Sequence, residues 1–178
     1  MISSDNDYFL KQSSDSEQSG DMGRVDAIVR HPLFSESIER IATIEEGRLF
    51  CKHDIEHFLA VGRIAYILCL EEGFEVEKDR LYAAALLHDL GRWRQYEDGT
   101  PHEEESARIA ERILPDCGFG DAETELILHA IRMHRTKSEE PLGFAGYLYR
   151  ADKISRLCFD CPGKMECDWE VKNFDLRY

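Results

Sequence analysis

From Met22 onward the apolar residues recur three, four and seven positions apart almost without interruption, and no stretch alternates apolar and polar residues for long. A helix turns by about 100° per residue, so this spacing lays an apolar stripe along each of a succession of helices, whereas a strand needs a period of two. The pattern predicts an all-α domain. Its helices are expected at about 22 to 30, 34 to 46, 51 to 72, 77 to 90, 101 to 114, 121 to 134 and 141 to 158. Glycines at 73 and 91 follow expected helix ends. The stretch TPHE at 100–103 offers a threonine cap, Pro101 at the first helical position and Glu103 to close a capping box. There is no internal repeat.

A chain of 178 residues suffices for one domain with a full core. Residues 1–21 carry six serines and five acidic residues against one lysine, with a short apolar patch at Tyr8, Phe9 and Leu10, and are expected to form a flexible tail. Residues 22–158 make the expected domain, and 159–178 a cysteine-containing extension packed on it. Lys+Arg 22 against Asp+Glu 36, a net charge of -14, argues against nucleic acid, whose phosphates need basic side chains. A small anionic substrate fits if a bound cation reverses the local field. No apolar run approaches the roughly 20 residues that span a bilayer, and the start of the sequence lacks a signal-peptide pattern, so a cytoplasmic location without membrane contact is expected.

Against this background, four polar residues fall on faces that should be buried. His57 lies on the stripe of Ala60, Val61, Ile64, Ala65 and Leu68. His88 shares a face with Leu81, Ala84 and Ala85, and Asp89 with Tyr82, Ala85 and Leu86. Asp152, in YLYRADKIS, follows Ala145 and Leu148. A buried, unpaired carboxylate is costly, so two of them call for strong partners, and a cation is the simplest. Imidazole and carboxylate together suit a transition metal, and two His with two Asp leave positions open for water.

The order H, then HD, then D resembles that of the HD superfamily of metal-dependent phosphohydrolases. Here it reads as His57 in HFLAVGRIA, His88 and Asp89 in LLHDLGRW, and Asp152 in RADKIS. The resemblance covers roughly residues 25–158 and implies a compact bundle of about six to seven helices in which those four residues bind a first metal. The cysteine-rich end and FCKHDIEHFLAVGRIAYIL look like those of a group of bacterial HD-domain proteins. Some members hold a second metal with extra histidines. Matching candidates are His102 and His134, the latter on the face of Ile127, Ala130 and Ile131, with His129 an alternative pointing about 140° away. His53 shares the helix face of His57, and the resemblance leaves it beside the metal or on the substrate side. Where the superfamily commonly shows HDIGK, this chain has Leu90 and Arg92. Arg92 and Lys153 are candidate phosphate-holding groups.

The implied activity is hydrolysis of a small phosphoester, most plausibly a nucleotide, by water activated on one or two divalent ions (Fe, Mn, Zn, Ni or Co), with Asp89 orienting the nucleophile. Two alternatives stand beside it: a di-iron oxygenase of the same fold, and a non-catalytic protein that senses nucleotides or binds metal. Cys158, Cys161 and Cys167 form a C-x2-C-x5-C pattern to which Cys51 is the candidate fourth ligand, for a structural zinc or an iron–sulfur cluster. Cys69 and Cys117 read as ordinary core and loop residues.

Overall fold

The computed structural model describes residues 21–136, 143–168 and 178, all of them helix, turn or coil. Among these described residues eight α-helices follow one another: α1 (Met22–Arg30), α2 (Pro32–Ile44), α3 (Ile55–Glu72), α4 (Lys78–Leu87), α5 (Arg92–Asp98), α6 (His102–Asp116), α7 (Asp121–Met133) and α8 (Phe144–Ile154), with a 3-10 turn at Cys158–Asp160. The fold is all-α, as the apolar spacing predicts. The tail expected at residues 1–21 lies, apart from Asp21, outside the described residues.

The centre of the molecule is made of α3, α4, α7 and α8. α3 packs along α4 and α8, and α7 closes the ring against α4 and α8. α4 is apolar on every side: Leu81, Ala83, Ala84, Ala85, Leu86 and Leu87 are all buried, as expected of a helix surrounded by others. Gly62 on α3 faces Ala85 and the Tyr82 ring, where a Cβ would stand 3.4 Å from each. Small residues on both sides let these two helices approach closely. α6 pairs with α7, while α1, α2 and α5 cover the outside of α4 and α6.

Local chemistry explains where elements begin and end. Asp54 caps α3 by accepting the His57 N–H at 2.9 Å, and Gly73 ends it with φ 68°, a conformation that favours glycine. Four expectations need correction. α3 starts at Ile55 instead of 51, after the Asp54 cap, so His53 stands before the helix and not on its face. α4 ends at Leu87 instead of 90, because the chain tightens into turns: Leu90 N–H bonds to the Leu87 carbonyl and Arg92 N–H to the Asp89 carbonyl. His88 and Asp89 therefore stand in the turn after the core helix. A short helix, α5, occupies a stretch read as connection; it buries only Trp93 and so leaves no periodic stripe. The capping box at 100–103 does not form. Thr100 gives both its hydroxyl and its N–H to Asp98, at 2.7 and 3.0 Å, and the first α6 amides bond instead to the Pro101 carbonyl.

Candidate metal centre

Six side chains from five separate segments meet at one end of the four central helices. His57 comes from the first turn of α3, His88 and Asp89 from the turn after α4, His102 from the start of α6, His134 from the end of α7, and Asp152 from α8. All but His57 are buried; His57 keeps a solvent-facing edge. Gly91 makes this convergence possible. A Cβ there would meet the Ser106 N at 2.4 Å and the His102 O at 2.6 Å, and the Gly91 N–H bonds to the Ser106 hydroxyl at 2.8 Å. Only a residue without a side chain allows the turn to press on the start of α6.

Two donor sets form around Asp89. Ligand atoms of His57, His88, Asp89 and Asp152 all lie within 4.8 Å of one another, and so do those of Asp89, His102 and His134. Asp89 Oδ2 faces the first set, 3.3 Å from His88 Nε2 and 3.9 Å from His57 Nε2. Asp152 Oδ1 stands 3.5 Å from His57 Nε2. Asp89 Oδ1 faces the second set, 3.0 Å from His102 Nε2 and 3.5 Å from His134 Nε2. Its position brings it close without hydrogen-bond geometry: Asp89 Oδ1, His57 Nε2 and His88 Nε2 are buried and have no hydrogen-bond partner among the described residues.

The far side of the imidazoles fixes which nitrogen carries the lone pair. His88 Nδ1 donates to the Ala85 carbonyl at 2.7 Å, and His134 Nδ1 to the Ile131 carbonyl at 2.6 Å. A carbonyl can only accept, so each ring holds its proton on Nδ1 and aims a bare Nε2 inward. Ser155 Oγ donates to the Asp152 carbonyl and so accepts from His57 Nδ1, 3.4 Å away. His102 and His134 then face each other Nε2 to Nε2 at 3.2 Å. Bare nitrogens and carboxylate oxygens gathered in a buried space are the donor set of a cation. Burial also favours the neutral rings: it lowers His88 and pulls His102 down to about 4. Burial alone would raise both aspartates, but the Arg92 guanidinium beside Asp89, and Arg156 and Lys153 beside Asp152, hold them well below the usual carboxylate range.

Around this set lies a layer of supporting residues. Arg92 Nη2 donates to His53 Nε2 at 2.9 Å, and the His53 N–H bonds to Glu45 Oε2 at 2.8 Å. The His53 ring gives its Nδ1 proton to the same carboxylate, which also accepts from the Tyr96 hydroxyl at 2.7 Å. His53 thus sits between Glu45 and Arg92, with its Nε2 3.8 Å from Asp89 Oδ2. His102 Nδ1 meets both Gln95 Oε1 and, at 3.0 Å, Arg92 Nη1, which also donates to Gln95 Oε1 at 3.1 Å. Lys153 Nζ reaches Asp152 Oδ2, and Arg156 Nη2 reaches Oδ1 at 3.3 Å. A cavity of about 210 Å³ opens over the centre, and its walls include Arg48, Arg92, Arg135, Lys153 and Arg156.

The structure therefore brings together His57, His88, Asp89, Asp152, His102 and His134, with His53, Arg92 and Lys153 beside them. His129 is exposed on α7. Sequence reasoning missed Glu45, Gln95, Ser155, Arg48 and Arg156. Of these, only Ser155 and Arg156 had a signal, at three and four residues past Asp152 on a helical path.

The family model described as the HD domain matches residues 54–157. An uncharacterized protein of Clostridium beijerinckii is 42% identical over 159 residues, which is 88% of this chain and 100% of that protein. A bifunctional uridylyltransferase/uridylyl-removing enzyme of Azospirillum brasilense is 31% identical over 121 residues, 66% of this chain but 12% of that enzyme. Among solved structures, a predicted HD superfamily hydrolase from an uncultured Thermotogales bacterium matches with a TM-score of 0.54 and 28% identity. The match covers 68% of this chain and 65% of that one.

Proposed function

This chain belongs to the HD-domain family, and from that premise we propose that it is a metal-dependent phosphohydrolase acting on a small phosphoester, preferably a nucleotide. The observation that carries the reading is the division of Asp89 between two sets of inward-facing imidazole nitrogens. His57, His88, Asp89 and Asp152 would hold one divalent ion, and Asp89, His102 and His134 a second. Mixed imidazole and carboxylate donors suit Fe, Mn, Zn, Ni or Co. Ions bound there would supply Lewis acidity, lowering the pKa of a water and offsetting charge on phosphate oxygens.

The chain's own residues do the rest. Asp89, ionised and buried, accepts a hydrogen bond from the attacking water and sets its direction toward phosphorus. Arg92 is held by His53 and Gln95, so its guanidinium enters the cavity already oriented, and little side-chain entropy is lost when it binds phosphate oxygens. Lys153, Arg48, Arg135 and Arg156 add positive charge on the cavity walls, which selects an anion in a protein that is itself acidic.

A panel of nucleoside monophosphates, cyclic nucleotides and simple phosphomonoesters, offered to protein loaded with each metal in turn, tests this reading. Phosphate or alcohol release that chelator abolishes and Asp89→Ala lacks is the expected result. Dioxygen consumption without phosphoester cleavage by the iron-loaded protein would contradict it.

A further inference from the structure

Four of the six cysteines stand apart from the rest. Cys69 and Cys117 are buried in the apolar core, whereas Cys51, Cys158, Cys161 and Cys167 are partly exposed, and none of the six is in a disulfide. Cys51, Cys158 and Cys167 line one cavity of about 270 Å³ together with Arg48, Phe50 and Arg156. Cys161 lines the adjoining cleft, which Cys51 borders as well, and its sulfur lies 4.0 Å from the Leu49 carbonyl.

This meeting is built by packing. The 3-10 turn at Cys158–Asp160 and the bond from Lys164 N–H to the Cys161 carbonyl fold the segment after α8 back on itself. Gly163 then presses on Phe50, where a Cβ would come 2.9 Å from the ring. Two segments far apart in sequence thus face each other with thiols on both sides.

The spacing of the thiols tells against a single ion. Zinc with Zn–S bonds of about 2.3 Å draws its four sulfurs to under about 4 Å from one another. Among the described residues no three of these cysteine sulfurs come within 4.8 Å of one another. Three of them line one cavity and the fourth borders the cleft beside it.

We propose that Cys51, Cys158, Cys161 and Cys167 ligate a four-iron, four-sulfide cluster. Four thiolates are the ligand set such a cluster requires, and its negative charge would be offset by two arginines. Arg48 donates to the Cys51 carbonyl at 3.1 Å and Arg156 lines the same cavity as Cys51. Each cysteine displaces a small thiolate from a preassembled cluster: four Fe–S bonds form as four break, each S–H proton leaves with the displaced thiol, and the irons keep their oxidation states. Both arginines also line the cavity over the His/Asp centre, so the cluster would fix one wall of that cavity. The proposal does not depend on the phosphohydrolase reading.

The experiment is iron and acid-labile sulfide analysis of the full chain, purified without oxygen and reconstituted with a preassembled four-iron, four-sulfide cluster carried by a small thiol. Iron held by histidine and aspartate carries no sulfide, so the two sites are distinguished by content. The expected result is sulfide bound in stoichiometric amount, with a broad visible absorption band. Both are lost in Cys158→Ser and Cys167→Ser and kept in Cys69→Ser and Asp89→Ala. Should a serine variant fail to fold, thiol titration of the wild-type chain decides: four of its six thiols become unreactive on reconstitution and return when the cluster is removed. Wild-type protein that binds no sulfide, serine variants that retain it, or zinc held by these cysteines without sulfide would overturn the proposal.

Discussion

Asp79 and Asp89 lie on either side of the same core helix, both sealed from solvent, and they show how a buried carboxylate finds a partner. Asp79 receives Arg24 Nε at 2.9 Å and the Asp21 N–H at 3.1 Å. Among the described residues Asp89 has Arg92 as its basic partner, with Nε at 3.9 Å, while five imidazoles surround it. The first is a complete ion pair and the second has the surroundings of a metal ligand, yet both read alike in the sequence as an acid on an apolar helix. What separated them was the order of His57, His88 and Asp152 around Asp89. The supporting residues were not legible because their partners lie on other elements: Glu45 is set against His53, and Gln95 against His102. They nonetheless carry weight, since groups that orient a ligand typically contribute 10–100-fold to metal affinity or activity. Gln95→Leu removes the oxygen that meets His102 Nδ1. It is expected to weaken the ion at His102 and His134 by roughly 10- to 100-fold in calorimetric titration, leaving the ion at His57 and Asp152 nearly unchanged.

At the scale of elements, long periodic helices such as α3 and α7 were legible because their stripes face the core. α5 was not, because seven residues with one buried side chain carry no period. The end of α4 was misplaced by three residues, since apolar Leu90 continues the stripe after the helix has stopped. That misplacement bears on function. The turn lets His88 and Asp89 point away from the α4 axis toward α6 and α7, and Gly91 lets α6 approach. Gly91→Ala puts a methyl against α6 backbone, and overpacking of this kind costs about 1–3 kcal/mol. The variant is expected to unfold at lower denaturant concentration with unchanged m-value, and to lose affinity for the second ion, because His102 moves with the start of α6.

Over the whole molecule the two ends of the bundle do different work. α4 is ten residues long, so at 1.5 Å per residue its ends stand about 15 Å apart. At the end opposite the HD turn, Arg24 joins Asp79 of α4 to Glu123 of α7, with Arg80 Nε also on Glu123 at 2.9 Å. The Arg24 hydrogen bond, outweighing burial and helped by the Gly120 N–H and Arg80, holds the Glu123 carboxyl down at about 2 from an ordinary 4.5. A depressed carboxyl pKa means stability that is present above about 4.5 and lost as pH falls toward 2. Glu123→Gln should therefore lower the melting temperature at neutral pH and flatten its decline across that acid window, with metal binding at the other end unaltered. The net charge of -14 gave the sign of the surface but not of the site, where basic side chains from four segments gather. If Asp89 organises a centre for two ions, equilibrium dialysis of the full chain against manganese will find two ions per chain, one in His102→Ala and neither held tightly in Asp89→Ala. A single ion indifferent to the loss of His102, or undiminished binding in Asp89→Ala, would contradict it.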